Sequence, residues 1–202
     1  MTQNADEQAL IASAQRGDLG AFNQLVIQYQ KLAYYVAYRI LNDSDATEDA
    51  TQDAFMRAYR AINQYRGGSF KAWLMRIVTN ICYDYLRAKQ RHPTASLEAL
   101  LVIDPAPGPT MTHKTESPEA YAERRELGQA IQAGISTLPP DQRVALTLRD
   151  VSGMSYQEIA KSTRSSLGTV KSRISRGRAK LRDYLLTQQE LLPAQYRLKN
   201  KA

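Results

Sequence analysis

The chain has 202 residues, 43% of them hydrophobic, with 27 Lys and Arg against 20 Asp and Glu, giving a formal net charge of +7. That length allows one or two packed domains, and the basic excess favours nucleic acid or another acidic surface as partner. A lone cysteine, Cys82, excludes an internal disulfide framework, the polar and acidic N-terminus carries no signal-peptide pattern, and no apolar run reaches the ~18 residues of a membrane span, so a cytoplasmic protein with no membrane insertion is expected.

Helical periodicity runs almost throughout. Asp6 to Arg16 reads as a short amphipathic helix ended by Gly17. From about Gly20 to Leu41, residues Phe22, Leu25, Val26, Tyr29, Leu32, Ala33, Val36 and Ile40 recur at the i, i+3, i+4, i+7 spacing of one buried face. A third helix starts after Ser44 or Asp45, and its slim face of Ala46, Ala50, Ala54, Ala58 and Ile62 suits close packing. Five acids and no base fall between Asn42 and Asp53. Tyr65-Arg66-Gly67-Gly68-Ser69 reads as a loop, followed by a fourth helix from Phe70 to Arg91. Cys82 lies in the apolar stripe of that helix with Ile77, Val78, Ile81 and Tyr85, which makes it a small core residue. Between Arg57 and Arg91, eight basic residues oppose Asp84 alone.

The composition then changes. Pro93 to Ser117 holds four of the eight prolines and no periodicity, which predicts an extended, flexible linker, with an apolar patch from Leu97 to Ile103 available for docking. Ser117-Pro118-Glu119 is a helix start with Pro at the first helical position. Helices are expected at Ala120 to Thr137 and at Gln142 to Val151. Ser155 with Glu158 three residues on forms a capping box, and Tyr156, Ile159 and Ala160 share a face. Thr163 to Ser166 breaks that helix. The next begins near Gly168 and buries Val170, Ile174 and Leu181. From Lys171 to Arg182 it carries only basic charges (Lys171, Arg173, Arg176, Arg178, Lys180 and Arg182). A solvated helix normally mixes both signs for i,i+4 pairing. One sign alone points to a polyanion, and a helix of this size fits the DNA major groove. The fold expected is all-α: residues 1–92 and 118–187 as two small helical domains, 93–117 as linker and 188–202 as tail.

The segments Leu138–Arg149, Gly153–Ala160 and Gly168–Leu181 resemble region 4 of bacterial sigma factors. Asp45–Arg60 and Phe70–Arg87 resemble region 2. Both motifs in this order, with a linker between, resemble the extracytoplasmic-function (ECF) type of the sigma-70 family. The resemblance implies a promoter-specificity subunit whose partners are RNA polymerase core, through the clamp of its largest subunit and the flap, promoter DNA in double- and single-stranded form, and an anti-sigma factor. It implies that Thr169, Lys171, Ser172, Ser175, Arg176 and Arg178 meet the –35 element. It further implies that Tyr65, Arg66, Trp73, Arg76, Asn80 and Arg87 meet the –10 element, with the loop and Asn80 forming a pocket for a flipped base. Asp49, Gln52, Asp53 and Phe55 would face the polymerase clamp. The physics of strand melting agrees, since it calls for a basic surface with stacking aromatics and a pocket that offsets the few kcal/mol of base flipping. Trp73 fits either stacking or the core, with Ile77 its i+4 partner.

Two other classes compete. An autonomous helix-turn-helix regulator explains Met154 to Arg182 but neither the acidic block nor the Trp73 surface. A nuclease or recombinase would need a metal-binding carboxylate cluster, P-loop or His/Cys constellation. None is visible, and His92 and His113 are isolated. No catalytic residue, metal or cofactor is therefore assigned, and the polymerase would perform the chemistry.

Overall fold

The computed structural model describes residues 2–91 and 117–188. The expected linker, its Leu97–Ile103 patch, His92, His113 and the tail beyond Gln188 lie outside the described residues. The described residues are all-α, in eight α-helices with no strand: α1 (Thr2–Gln15), α2 (Leu19–Leu41), α3 (Ser44–Ala61), a 3-10 turn (Ile62–Gln64), α4 (Phe70–Arg91), α5 (Pro118–Ser136), α6 (Pro140–Asp150), α7 (Tyr156–Thr163) and α8 (Leu167–Thr187).

Local chemistry sets the helix ends. Asp18, Asp43 and Ser117 each accept a hydrogen bond from the backbone N–H three residues on, at 3.0, 3.1 and 3.3 Å, satisfying one of the orphan donors of a helix start. Asn42 ends α2 in the left-handed conformation at φ 53°, a state that few residues besides glycine and those with short polar side chains tolerate. In the first half, α2, α3 and α4 pack around Leu25, Val36, Ile40, Phe70, Leu74, Met75 and Val78. The alanine face of α3 is buried as expected, and it lets the helix approach α2 and α4 closely. Cys82 is fully buried, and burial pushes its thiol up to about 12, so it is a packing residue that is not a thiolate at neutral pH. The second half buries Leu138, Val144, Leu148, Met154, Ile159, Val170 and Ile174.

The two halves also pack on each other: α5 and α6 lie against α2, and α6 and α7 against α4. Several polar contacts cross this seam. Gln132 on α5 is 4% exposed, accepts from Arg39 Nη1 at 2.9 Å and donates to Asn42 Oδ1 at 2.9 Å and to the Tyr38 carbonyl at 3.4 Å. Arg143 on α6 donates to the Ile40 carbonyl at 2.8 Å, one of the carbonyls the last turn of α2 leaves without a helical partner, and also to the carbonyls of Ser136 and Leu138. Tyr83 on α4 donates its hydroxyl to Asp141 at 3.2 Å. Periodicity had no means of placing these contacts, which span some of the longest separations in the chain.

Candidate nucleic-acid interface

The helix-turn-helix is built by three local devices. Ser155 accepts from the Glu158 N–H at 3.2 Å while Glu158 accepts from the Ser155 N–H at 2.7 Å, a complete capping box. Arg164 closes α7 in the left-handed conformation at φ 50°, and the Ser165 N–H reaches back to the Ala160 carbonyl at 3.0 Å. Ser166 then caps α8, accepting from the Thr169 N–H at 3.1 Å. The Ser155 N–H, with smaller help from the Ser155 hydroxyl, Lys71 and Ser69, holds the Glu158 carboxyl below its ordinary range. A depressed carboxylate stabilises the fold above its unfolded-state value and loses that contribution as pH falls through the folded value. Ser155→Ala should lower the stability of the second half by about 0.5–2 kcal/mol at neutral pH. Glu158→Ala, which removes the carboxylate, should give a deficit that shrinks under acid conditions in urea unfolding, and a pH-independent deficit in that variant would contradict the carboxylate's half of the box.

On α8, Val170, Ile174 and Gly177 face the core. The outer face carries Lys171, Ser175, Arg176 and Arg178, all exposed, with Thr169 and Ser172 half-buried beside them. The Ser172 hydroxyl donates back to the Thr169 carbonyl at 2.9 Å, and the Thr169 and Ser166 hydroxyls are bonded at 2.8 Å. The basic residues of this helix are not equivalent. Arg173 turns inward, donating to the Ser165 hydroxyl at 2.7 Å and pairing with Asp141. Arg178 pairs with Asp150 on α6, a hydrogen bond that raises the pKa of its guanidinium, and Arg182 pairs with Asp183 at 2.8 Å. Among the described residues, Lys171, Arg176 and Lys180 have no acidic partner. The uncompensated charge of the outer face therefore concentrates at these three.

A second surface runs along α4. Trp73, Arg76, Asn80 and Arg87 fall at i, i+3, i+7 and i+14, one stripe of the helix, and all but the half-buried Trp73 are exposed. Arg87 lies over the Tyr83 ring at 5.9 Å and 3.6 Å from Asp84. Trp73 packs one side on Tyr65, centroids 5.7 Å apart, and on Phe70 at 5.4 Å, while the rest stays accessible. Arg66 is exposed in the adjoining loop, whereas Tyr65 is only 6% exposed and its ring lies beneath the loop. Its hydroxyl donates to the Gly68 carbonyl at 2.7 Å. The acid-rich helix α3 presents a third surface, with Asp49, Gln52 and Asp53 on one strip, Asp53 pairing with Arg57 at 2.8 Å. Met56, 53% exposed, continues the strip at i+7 from Asp49; sequence reasoning passed over it, although this spacing could have found it. Phe55 is turned partly into the core. Among the described residues, no group of His, Cys, Asp or Glu gathers to hold a metal ion, and no helix is long and apolar enough to cross a membrane.

Comparison with known proteins matches residues 25–92 to the family Sigma-70 region 2 and residues 128–181 to Sigma-70, region 4. The ECF RNA polymerase sigma factor SigE of Mycolicibacterium smegmatis is 37% identical over 174 residues, 86% of this chain, which spans 65% of that protein's length. The RNA polymerase sigma-H factor of Pseudomonas aeruginosa is 38% identical over 179 residues, 88% of this chain and 92% of that one. The sigma factor RpoE of Bartonella quintana, solved in complex with the anti-sigma factor NepR, has a TM-score of 0.62 to this structure at 27% identity, covering 81% of this chain and 96% of the other. A complete pair of regions in this order, carried by relatives matched over most of their length, makes this chain a member of the ECF RNA polymerase sigma factors of the sigma-70 family.

Proposed function

We propose that this chain binds RNA polymerase core through α3, reads the –35 element with α8 and the –10 element with α4 and the loop 65–69, and promotes melting between them. The observation that carries the reading is the outer face of α8, where Lys171 and Arg176 stand without acidic partners on a fully capped helix-turn-helix. Ser172 and Ser175 lie beside them as hydrogen-bonding groups for base edges. Arg178 and Arg182, already held by acids, are suited to phosphates, which fix orientation rather than sequence. On the –10 side, Arg66, Arg76, Asn80, Arg87 and the open part of Trp73 supply cations, hydrogen-bonding groups and a stacking surface for a single strand. Tyr65 would act from beneath the loop. The relative from Bartonella quintana was solved with an anti-sigma factor, which supports a partner of that kind here, covering either the α3 strip or the basic face of α8.

Transcription by core plus this protein, with start sites mapped genome-wide, tests the reading: core alone should ignore the promoters that the mixture uses. Arg176→Ala should cost about 1–3 kcal/mol of discrimination at one –35 position if its contact is bidentate. Arg182→Ala should weaken all sequences alike and lower the salt slope. Transcription and binding indifferent to Arg176→Ala would overturn the orientation of α8. Tight promoter binding by the chain without core would favour an autonomous regulator.

A further inference from the structure

The segment matching region 2 begins at residue 25, so α1 lies outside it. The helix is nevertheless firmly seated. Ile11 and Ala14 are buried to 2% exposure, and Tyr29 on α2 donates its hydroxyl to Glu7. Its last residue, Gln15, reaches across the chain to the end of α3. There the side-chain amide donates to the Ile62 carbonyl at 3.0 Å and to the Tyr65 carbonyl at 3.1 Å. These two carbonyls bracket the 3-10 turn immediately before the loop 65–69.

The loop itself has little to hold it. Gly67 and Gly68 sit at φ 93° and 92°, and a Cβ at either would meet nothing within 4 Å. Its path is therefore set by its anchors: Gln15 at the entrance, the Tyr65 hydroxyl on the Gly68 carbonyl in the middle, and Ser69 capping the Ala72 N–H at 3.1 Å at the exit. The Tyr65 ring is wedged edge-on against Phe70 and Trp73, so the hydroxyl that grips Gly68 moves with the Tyr65 backbone that Gln15 grips.

We propose that Gln15 is a positioning residue for base selection, setting the shape of the loop 65–69 through Tyr65. This rests on the base-pocket reading of that loop given above. Gln15 touches no DNA in this scheme. Its amide fixes where the Tyr65 carbonyl lies, Tyr65 fixes Gly68, and the loop backbone then presents one geometry to an unstacked base.

The test uses holoenzyme made with the full chain and a fork-junction DNA library carrying all four bases at each single-stranded –10 position. The readout is the ratio of best to worst base at each position. Gln15→Leu removes the donor while keeping the volume, and Tyr65→Phe removes only the hydroxyl. Each should flatten the base ratio at one or two adjacent positions by about 3- to 10-fold, the size set by one or two hydrogen bonds. The double variant should flatten it little further than the larger single effect, because both act on one loop. Gln15→Lys, which restores a donor to the two carbonyls, should recover the ratio. Base preferences at –35 and core affinity should stay as in the parent chain. A merely structural role would lower the unfolding temperature and leave the base ratios unchanged, and that result overturns the assignment. A parent holoenzyme without base preference in the –10 segment would instead remove the base-pocket reading, and the assignment with it.

Discussion

Reversing the charge of Asp49 and Asp53 together to Lys should weaken binding to RNA polymerase core by at least ~30-fold, the lower end of the ~2–5 kcal/mol that follows when one partner of a desolvated charge pair is lost. The two acids share a strip of α3 with Gln52 and the exposed Met56, on a protein whose net charge is +7. The fold should survive the change. Asp53 is held only by a half-exposed i,i+4 pair with Arg57, and such pairs contribute about 1 kcal/mol or less. A titration of core with the variant, alongside thermal unfolding, measures both quantities. If the acids lie at the rim, the loss appears mainly in the association rate and fades at high salt. Unchanged core affinity in a folded double variant would assign the strip to solvent. Met56→Ala should weaken core binding without that salt dependence, separating the apolar contribution from the charged one.

Opening the seam between the two halves should raise the affinity of the free chain for promoter DNA. In the packed arrangement α7 lies on α4, with Glu158 beside Ser69 and Lys71. The helix-turn-helix therefore crowds the loop proposed to take the –10 base. On the proposed function, simultaneous contact with both promoter elements calls for the halves to part and for the core enzyme to hold them apart.

Gln132→Leu combined with Tyr83→Phe strips the seam of its bonds to Asn42, Tyr38, Arg39 and Asp141 while leaving the carbonyl contacts of Arg143 within the second half intact. Each bond lost contributes about 0.5–1.5 kcal/mol net, because Asn42 and Asp141 are exposed, Arg39 keeps Tyr35 and the Tyr38 carbonyl keeps the Asn42 N–H, so the closed arrangement should lose at least about 5-fold in population. Apparent affinity rises as the competent fraction rises. Small-angle scattering should report a larger radius of gyration for the variant, and DNA titration a tighter complex. Transcription at saturating core should be unchanged, because on the proposed function the core already holds the halves apart. Equal scattering and equal DNA affinity would show that the seam does not govern access to the promoter.

The helices, their caps and the basic outer face of α8 could be read directly from the chain because each depends on residues three or four positions apart. The Ser155–Glu158 box, the alanine face of α3 and the burial of Val170 and Ile174 are all of that kind. Charge counting along α8 likewise picked out a helix of one charge sign, yet it treated its arginines as equals. Arg173 is withdrawn by Asp141, 32 residues away, and Arg178 by Asp150, 28 residues away. The same limit applies to the loop 65–69 and to the seam. Gln15 meets Tyr65 across 50 residues, Gln132 meets Asn42 across 90, and Arg143 meets Ile40 across 103. Local spacing shows which face of a helix is buried, but not what stands opposite. A buried amide or guanidinium acquires its partner only when packing brings an unsatisfied carbonyl within reach, and that depends on how whole helices are stacked.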